Sequence, residues 1–373
     1  MRILLALILA SASIAFGAAP PPPALIGKAW VLADLSSGQT LAAQKADERF
    51  EPASLTKLMT AYVVFAAMRD KKLSAGQQVA VSNRATRAPG SKMFIEPRRP
   101  VTVDELIRGM VVQSGNDASL ALAEAVAGSE DAFVRLMNKT AERLGMKGSR
   151  FMNASGLPDP QHYTTAQDLL LLTFALIREF PAEYAQYYAL KEYRYNNITQ
   201  ANRNRLLWLD PSVDGLKTGH TEAAGYCLVA SARRNNRRLV SVLLGSTSES
   251  GRAQESLKLL NWGFQFFDSV KLYGASEALK PLQVWKGAAP AVKVGPKADV
   301  IVTVPKGEAD KLKAELVSQQ PLIAPLTQGQ RVGSLRLTFE GKPIGEVPVV
   351  ALEPVAAAGL LGRAWDTLRL WIK

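Results

Sequence analysis

After Pro52 the chain places Leu55, Leu58, Met59, Tyr62, Val63, Phe65 and Ala66 at helical spacing. The pattern predicts a helix of roughly four or five turns that begins at Ser54 and is apolar on most of its sides. Such a helix has to be enclosed, because it offers water no polar face. Whatever the chain folds into must therefore wrap other elements around this segment. With 373 residues there is room for two or three domains and a core that needs no covalent staples. A hydrophobic fraction of 47% against 21% charged residues excludes a disordered chain or a coiled coil. The single cysteine, Cys227, excludes an internal disulfide framework, and with only His162 and His220 beside it a multi-cysteine or histidine-rich metal site has no ligands to draw on.

The rest of the chain divides by its patterning. Lys28 to Leu35, the turn Ser36-Ser37-Gly38 and Gln39 to Ala43 read as a β-hairpin. Ser82 to Pro100, punctuated by Pro and Gly, reads as a long surface loop. Helices are expected near 103–112, 116–127, 130–144 and 165–178, strands near 192–199, 214–220, 224–233 and 238–245, and a helix from Arg252 to Phe267. Asn235-Asn236 marks a hairpin turn between the last two strands. Beyond Ser269 the segments 292–294, 300–304, 330–339 and 344–352 are short, β-branched and separated by Gly and Pro, the pattern of a small all-β domain. These shifts place one domain at 24–268, a β-rich one at 269–353 and a terminal helix at 355–373.

Both ends carry addressing signals. Met1 and Arg2 precede a short apolar run, Ile3 to Phe16, that closes on small residues, so residues 1–17 read as a secretory signal peptide cut after Gly17, or alternatively after Ala19. Export makes nucleic acid an improbable partner for the net charge of +12, which then favours membrane head groups or an acidic substrate. At 100° per residue, Leu361, Ala364, Trp365, Leu368, Trp371 and Ile372 share an arc of about 120°. Arg363, Asp366, Arg369 and Lys373 fall outside it, the layout of a helix lying in a membrane interface. A terminal helix docked on the protein's own surface is the alternative.

Three short motifs carry chemistry. In Ser54-Leu55-Thr56-Lys57 the serine and lysine are three residues apart, on one helix face and within hydrogen-bond reach. A serine hydroxyl needs a base, and a lysine serves when burial and a second cation lower its pKa toward neutrality. The bland reading is an N-cap serine. Ser114-Gly115-Asn116, between two expected helices, offers a hydroxyl that can relay a proton and an amide that can hold both a lysine and a substrate, or else ordinary turn chemistry. Lys217-Thr218-Gly219-His220 ends an expected strand; lysine and threonine can hold a carboxylate, and glycine admits a substrate backbone at the strand edge. A Ser-His-Asp triad through His220 is disfavoured, because no Gly-x-Ser-x-Gly elbow exists and Ser54 already has its lysine. His162 and Cys227 read as structural.

Taken together and in this order, the motifs match the set Ser-x-x-Lys, Ser-x-Asn, Lys-Thr-Gly of the penicillin-binding proteins and β-lactamases. The chain resembles in particular the D-alanyl-D-alanine carboxypeptidases among the low-molecular-mass penicillin-binding proteins. The stretches that carry the likeness are 52–60, 113–118, Asn202-Arg203-Asn204 and 214–221 with Ala224-Gly225-Tyr226. The resemblance implies an α+β fold: a β-lactamase/transpeptidase-like domain, with an antiparallel sheet flanked by helices, then the small all-β domain and the amphipathic helix. It implies that Ser54 attacks the bond between the last two D-alanines of a peptidoglycan stem pentapeptide and that Lys57 takes its proton. Ser114 and Lys217 would assist the proton shuttle, Lys217 also depressing the pKa of Lys57, while Asn116 orients Lys57. Backbone N–H groups of Ser54 and His220 would form the oxyanion hole, and Thr218, Gly219 and Arg203 would hold the substrate, its carboxylate on Thr218 and Arg203. No metal or cofactor is called for. β-Lactams would acylate Ser54, and the protein would sit on the periplasmic face of a bacterial inner membrane, held peripherally by its last helix. Alternatives on the same fold are a DD-endopeptidase, which uses the same residues, and a β-lactamase, for which the deacylating Glu-x-x-Leu-Asn segment is missing between Ser114 and Lys217. A non-catalytic wall-binding protein is disfavoured by the intact motifs.

Overall fold

The computed structural model describes residues 19–371, so the signal-peptide reading of residues 1–17 lies outside the described residues. Two units emerge, one of Pro21–Leu35 and Thr40–Phe264, the other of the chain from Gln265 onward together with Ser36–Gln39.

In the first unit β1 (Ala29–Asp34) and β2 (Thr40–Gln44) form the expected hairpin. A 3₁₀ turn, Ala53–Leu55, leads into α1 (Thr56–Arg69), which is buried along nearly its whole length. β3 (Gln78–Val79) and β4 (Val101–Thr102) pair across the stretch expected to be a loop, which also holds one short helix, α2 (Asn83–Thr86). There follow α3 (Val103–Val112), α4 (Asn116–Ala127), α5 (Glu130–Leu144), α6 (Ala166–Glu179) and α7 (Pro181–Tyr187). The start of α3 is fixed by a capping box, Thr102 with Glu105. The single strand expected near 192–199 is instead a hairpin, β5 (Glu192–Tyr195) and β6 (Ile198–Ala201), because Asn196 and Asn197 both take left-handed φ and turn the chain back on itself. After α8 (Leu206–Leu209) come β7 (Val213–Thr221), β8 (Gly225–Arg234), β9 (Arg237–Ser246) and α9 (Glu249–Phe266).

The sheet runs β2-β1-β9-β8-β7, antiparallel throughout. It is covered on both faces, which is why β9 reads as a continuous apolar run rather than an alternation. Val31, Val240 and Val242 join the core that contains α1 and α6. Leu32 and Leu239 point to the other face, against Gly263 of α9. Three of the four arginines around the β8–β9 turn are ion-paired, Arg234 with Asp210, Arg237 with Asp34 and Arg238 with Asp214, so this cluster is part of the framework and not a free basic patch.

The second unit contains β10 (Phe267–Tyr273), β11 (Leu282–Trp285), β12 (Ala291–Val292), β13 (Val294–Pro296), β14 (Val300–Pro305), β15 (Leu312–Ser318), β16 (Leu322–Ile323), β17 (Arg331–Phe339) and β18 (Lys342–Ala351). Its largest sheet runs β13-β18-β17-β15, closed by the left-handed Glu340-Gly341 turn, over a core of Val294, Val302, Val332, Leu335 and Val349. The terminal helix, α10 (Leu360–Trp371), begins later than residue 355, because Val355 is buried and exchanges backbone hydrogen bonds with Leu326. Leu361, Trp365, Leu368 and Trp371 of α10 all point into solvent. Among the described residues no helix is long and apolar enough to cross a membrane.

Candidate active site

Ser54 sits on the 3₁₀ turn, and its side chain does not cap α1, whose N-cap residue is Leu55 with no side-chain cap at all. The N-cap reading of Ser54 therefore gives way to a contact with Lys57, whose Nζ lies 3.0 Å from Ser54 Oγ. Lys57 Nζ has two further partners, Asn116 Oδ1 at 2.7 Å and the Ser155 carbonyl at 2.6 Å. A neutral amine has two N–H donors and one lone pair. The two shorter contacts can be met only by N–H donors, which leaves the lone pair aimed at the Ser54 hydroxyl.

Electrostatics favours that neutral form. Burial comes first and the Arg203 guanidinium second; together they pull the Lys57 ammonium down to about 7, against an opposing pull from Asp117. Arg203 thus joins Lys217 as a cation beside Lys57, and the repulsion between the two lysines is seen on the Lys217 side. Lys217 is itself held well below its ordinary value by burial and then by Lys57, Arg203 and Arg252. It reaches Ser114 Oγ at 2.9 Å and the Thr218 carbonyl at 3.0 Å, so two lysine–hydroxyl pairs flank Asn116.

The scaffold explains how these groups meet. Gly115 is the N-cap residue of α4 and Asn116 its first residue, with Asn116 Nδ2 donating to the Pro89 carbonyl at 2.6 Å. Ser114 is left-handed at φ 64°, and Ala53, beside Ser54, at φ 46°. Non-glycine residues in that region cost on the order of 1–3 kcal/mol each and persist where their surroundings dictate them. Gly219 opposes Cys227 across the β7–β8 ladder, and a Cβ there would lie 3.1 Å from Leu55 and 3.2 Å from the Pro52 carbonyl. The glycine thus lets β7 close on the serine turn, a role independent of substrate.

Sequence reasoning missed several residues. Gly156, left-handed at φ 87°, has no space for a side chain: a Cβ would fall 1.8 Å from the Ala53 carbonyl. Its segment is held by Asn153, whose Oδ1 accepts the N–H groups of Ser155, Gly156 and Leu157, an Asx turn legible in Asn-Ala-Ser-Gly. The Asp117 carboxylate accepts the N–H groups of Met93, Phe94 and Ile95 and so pins the loop beside the site. Arg252 enters from α9, donating to the Gly219 and Arg203 carbonyls, each at 3.4 Å. No local signal marks it, because its neighbours come from distant segments. The cleft above these groups is lined by Ser54, Ser114, Asn116, Ser155, Arg203, Thr218, Gly219, His220 and Arg252. Lys57 and Lys217 lie beneath it, buried. His220 is exposed and packs against Tyr226, ring centres 4.1 Å apart and tilted by 34°.

His162 braces the serine segment from behind, with Nε2 3.0 Å from Thr56 Oγ1 and its ring edge-on to Phe151. Its Nδ1 is buried without a partner among the described residues, and burial lowers its pKa to about 4. The unfolded chain takes this proton at about 6.5 and the folded chain only near 4, so the histidine should withdraw stability as pH falls through that window. Urea melts at pH 7 and pH 5 should show a loss roughly 2 kcal/mol larger than that of His162→Gln. Equal losses would contradict the assignment.

A serine in contact with a lysine whose pKa is brought down to about 7, with a second lysine–hydroxyl pair and two arginines at the cleft, is equipped for acyl transfer to a substrate bearing a carboxylate. Known proteins with similar sequences agree. Residues 16–248 match the family described as D-alanyl-D-alanine carboxypeptidase, and residues 267–357 match the C-terminal domain of penicillin-binding protein 5. D-alanyl-D-alanine carboxypeptidase DacC of Escherichia coli is 43% identical, over 92% of this chain and 88% of that protein. DacA of the same organism is 42% identical, over 94% and 89%. Among solved structures, penicillin-binding protein 5 of Haemophilus influenzae superposes with a TM-score of 0.87 at 39% identity, covering 90% of this chain and 99% of that one. The ampicillin-bound penicillin-binding protein D2 of Listeria monocytogenes gives a TM-score of 0.60 at 31% identity, covering 66% and 100%.

Proposed function

Since this chain belongs to the D-alanyl-D-alanine carboxypeptidase family and is a serine-type hydrolase of that specificity, we propose that Ser54 is its nucleophile and Lys57 its general base. The observation that carries this reading is the 3.0 Å approach of buried Lys57 Nζ to Ser54 Oγ, beside two acceptors that take both N–H groups of the neutral amine and so leave the lone pair of that form to Ser54. Ser54 Oγ attacks the carbonyl between the last two D-alanines of a peptidoglycan stem peptide as its proton passes to Lys57. The backbone N–H groups of Ser54 and His220 hold the oxyanion. Collapse of the tetrahedral intermediate breaks the C–N bond, and Ser114 with Lys217 passes a proton to the departing D-alanine. Water then hydrolyses the acyl-enzyme. Thr218 receives the terminal carboxylate with Arg203, and Arg252 adds a second cation to the same end of the cleft. A β-lactam offers its strained amide to the same serine. The assignment is tested by labelling the protein with a tagged penicillin and sequencing the peptide that retains it. The tag belongs on Ser54; a tag elsewhere overturns the reading.

The protein is exported and works at the periplasmic face of the inner membrane, held there by α10. Supporting this are Leu361, Trp365, Leu368 and Trp371, all exposed on α10. Truncation should follow Ala358, because Val355 belongs to the β core. A chain lacking 359–373 should release D-alanine at the parent rate and stay in the supernatant when vesicles are sedimented. Continued sedimentation would remove the anchor role.

A further inference from the structure

α10 is fixed to its domain in one orientation. Residues 356–358 run beside 286–288, with Ala288 N–H donating to the Ala356 carbonyl and Ala358 N–H to the Lys286 carbonyl, each at 2.8 Å. Nearly two turns into the helix, Asp366 Oδ2 accepts the Lys286 N–H at 2.6 Å. The apolar stripe is therefore presented at a set angle. Beside it, between α10 and β11, opens a cleft lined by Trp285, Pro290, Gly362, Trp365, Asp366 and Arg369.

The cleft has opposite charges at a short spacing. Arg369 forms no salt bridge among the described residues, and its guanidinium carbon lies 5.8 Å from the centre of the Trp285 ring. Asp366 commits Oδ2 to Lys286 and leaves Oδ1 without a partner among the described residues. Positions 366 and 369 are three apart on one helix face, so carboxylate and guanidinium look into the same groove without being paired with each other. Two indole rings border the groove, one buried and one 64% exposed at the edge of the apolar stripe. A stripe inserted among acyl chains puts this groove at head-group depth.

We propose that the cleft receives the phosphoethanolamine head group of a zwitterionic phospholipid, its phosphate on Arg369 and its ammonium on Asp366 Oδ1 beside the exposed Trp365 indole. The primary ammonium can donate hydrogen bonds to the carboxylate and be attracted by the Trp365 ring, and the phosphate supplies the anion that Arg369 lacks. An anionic glycerol head group meets the arginine but brings its hydroxyls to a carboxylate and an exposed indole that favour a cation. The proposal rests on the reading of α10 as the membrane-facing element and adds to it a choice among lipids.

The test uses the full mature chain and soluble dihexanoyl lipids, followed by indole fluorescence. Dihexanoyl-phosphatidylethanolamine should bind saturably and more tightly than dihexanoyl-phosphatidylglycerol. Arg369→Gln should weaken the ethanolamine lipid on the order of tenfold. Asp366→Asn, which keeps an acceptor for Lys286 N–H, should erase the preference, while Arg363→Gln should change neither. All these variants should release D-alanine at the parent rate. Equal binding of both lipids, or indifference to both substitutions, would overturn the head-group site. Sedimentation with phosphatidylcholine vesicles separates the two readings: a parent chain that pellets but shows no head-group preference loses only the cleft, whereas one that never pellets loses the anchor and the cleft together.

Discussion

Replacing Ser54 with alanine should abolish release of D-alanine from a stem pentapeptide, with a fall in kcat of at least about 10⁴-fold, and should end covalent labelling by penicillin. The fold should survive, because the contact of Ser54 Oγ is with Lys57 Nζ and the hydroxyl caps no helix. Lys57 keeps Asn116 Oδ1 and the Ser155 carbonyl after the substitution. A melting temperature within a degree or two of the parent, with activity gone, is the expected pair of results. Residual turnover near the parent level would move the nucleophile elsewhere.

Lys57→Arg should be nearly as damaging, on the order of 10³-fold or more, for a different reason: a guanidinium stays protonated at any pH at which the protein is folded, so it cannot take the serine proton. The parent enzyme should carry the signature of that base in its pH profile. With Lys57 titrating at about 7, the neutral amine predominates above that value and the ammonium below it, so kcat/KM should climb through pH 7 and then level off. The cause of the shift supplies a second arm. Arg203 is the largest charge lowering Lys57, so Arg203→Gln should move the rising limb to higher pH in addition to weakening the substrate's carboxylate end. A rising limb near 10 in the parent would show that burial does not act on Lys57 as described.

The burial of Lys57 has a cost in stability. Its ammonium titrates at 10.5 in the open chain and at about 7 in the fold, so the unfolded state gains protons across that window. Stability attributable to this group rises with pH from about 7 to about 10.5, so the working range lies at its unfavourable end. Two left-handed non-glycine residues, Ala53 and Ser114, add to that cost beside the reacting groups. The enclosed helix α1 and the sheet buried on both faces provide the compensating burial.

Much was open to reading in the linear chain because it rests on local rules. The apolar spacing after Pro52 gives the buried helix, the three-residue step from Ser54 to Lys57 puts both on one face, and Asn235-Asn236 and Glu340-Gly341 give their hairpins. The same rules applied to Asn196-Asn197 would have found the β5–β6 hairpin, since two consecutive asparagines accept left-handed φ. Tertiary structure alone decided what depends on groups far apart in sequence. Gly156 is glycine because a carbonyl from residue 53 occupies the space of its side chain, Arg252 reaches the cleft only through the closure of α9 on β7, and Asp117 earns its role from the backbone of residues 93–95. The same holds for the chemistry. A motif can bring a lysine to a serine, but the proton affinity of that lysine is set by burial and by a guanidinium from residue 203, neither of which has a local signature.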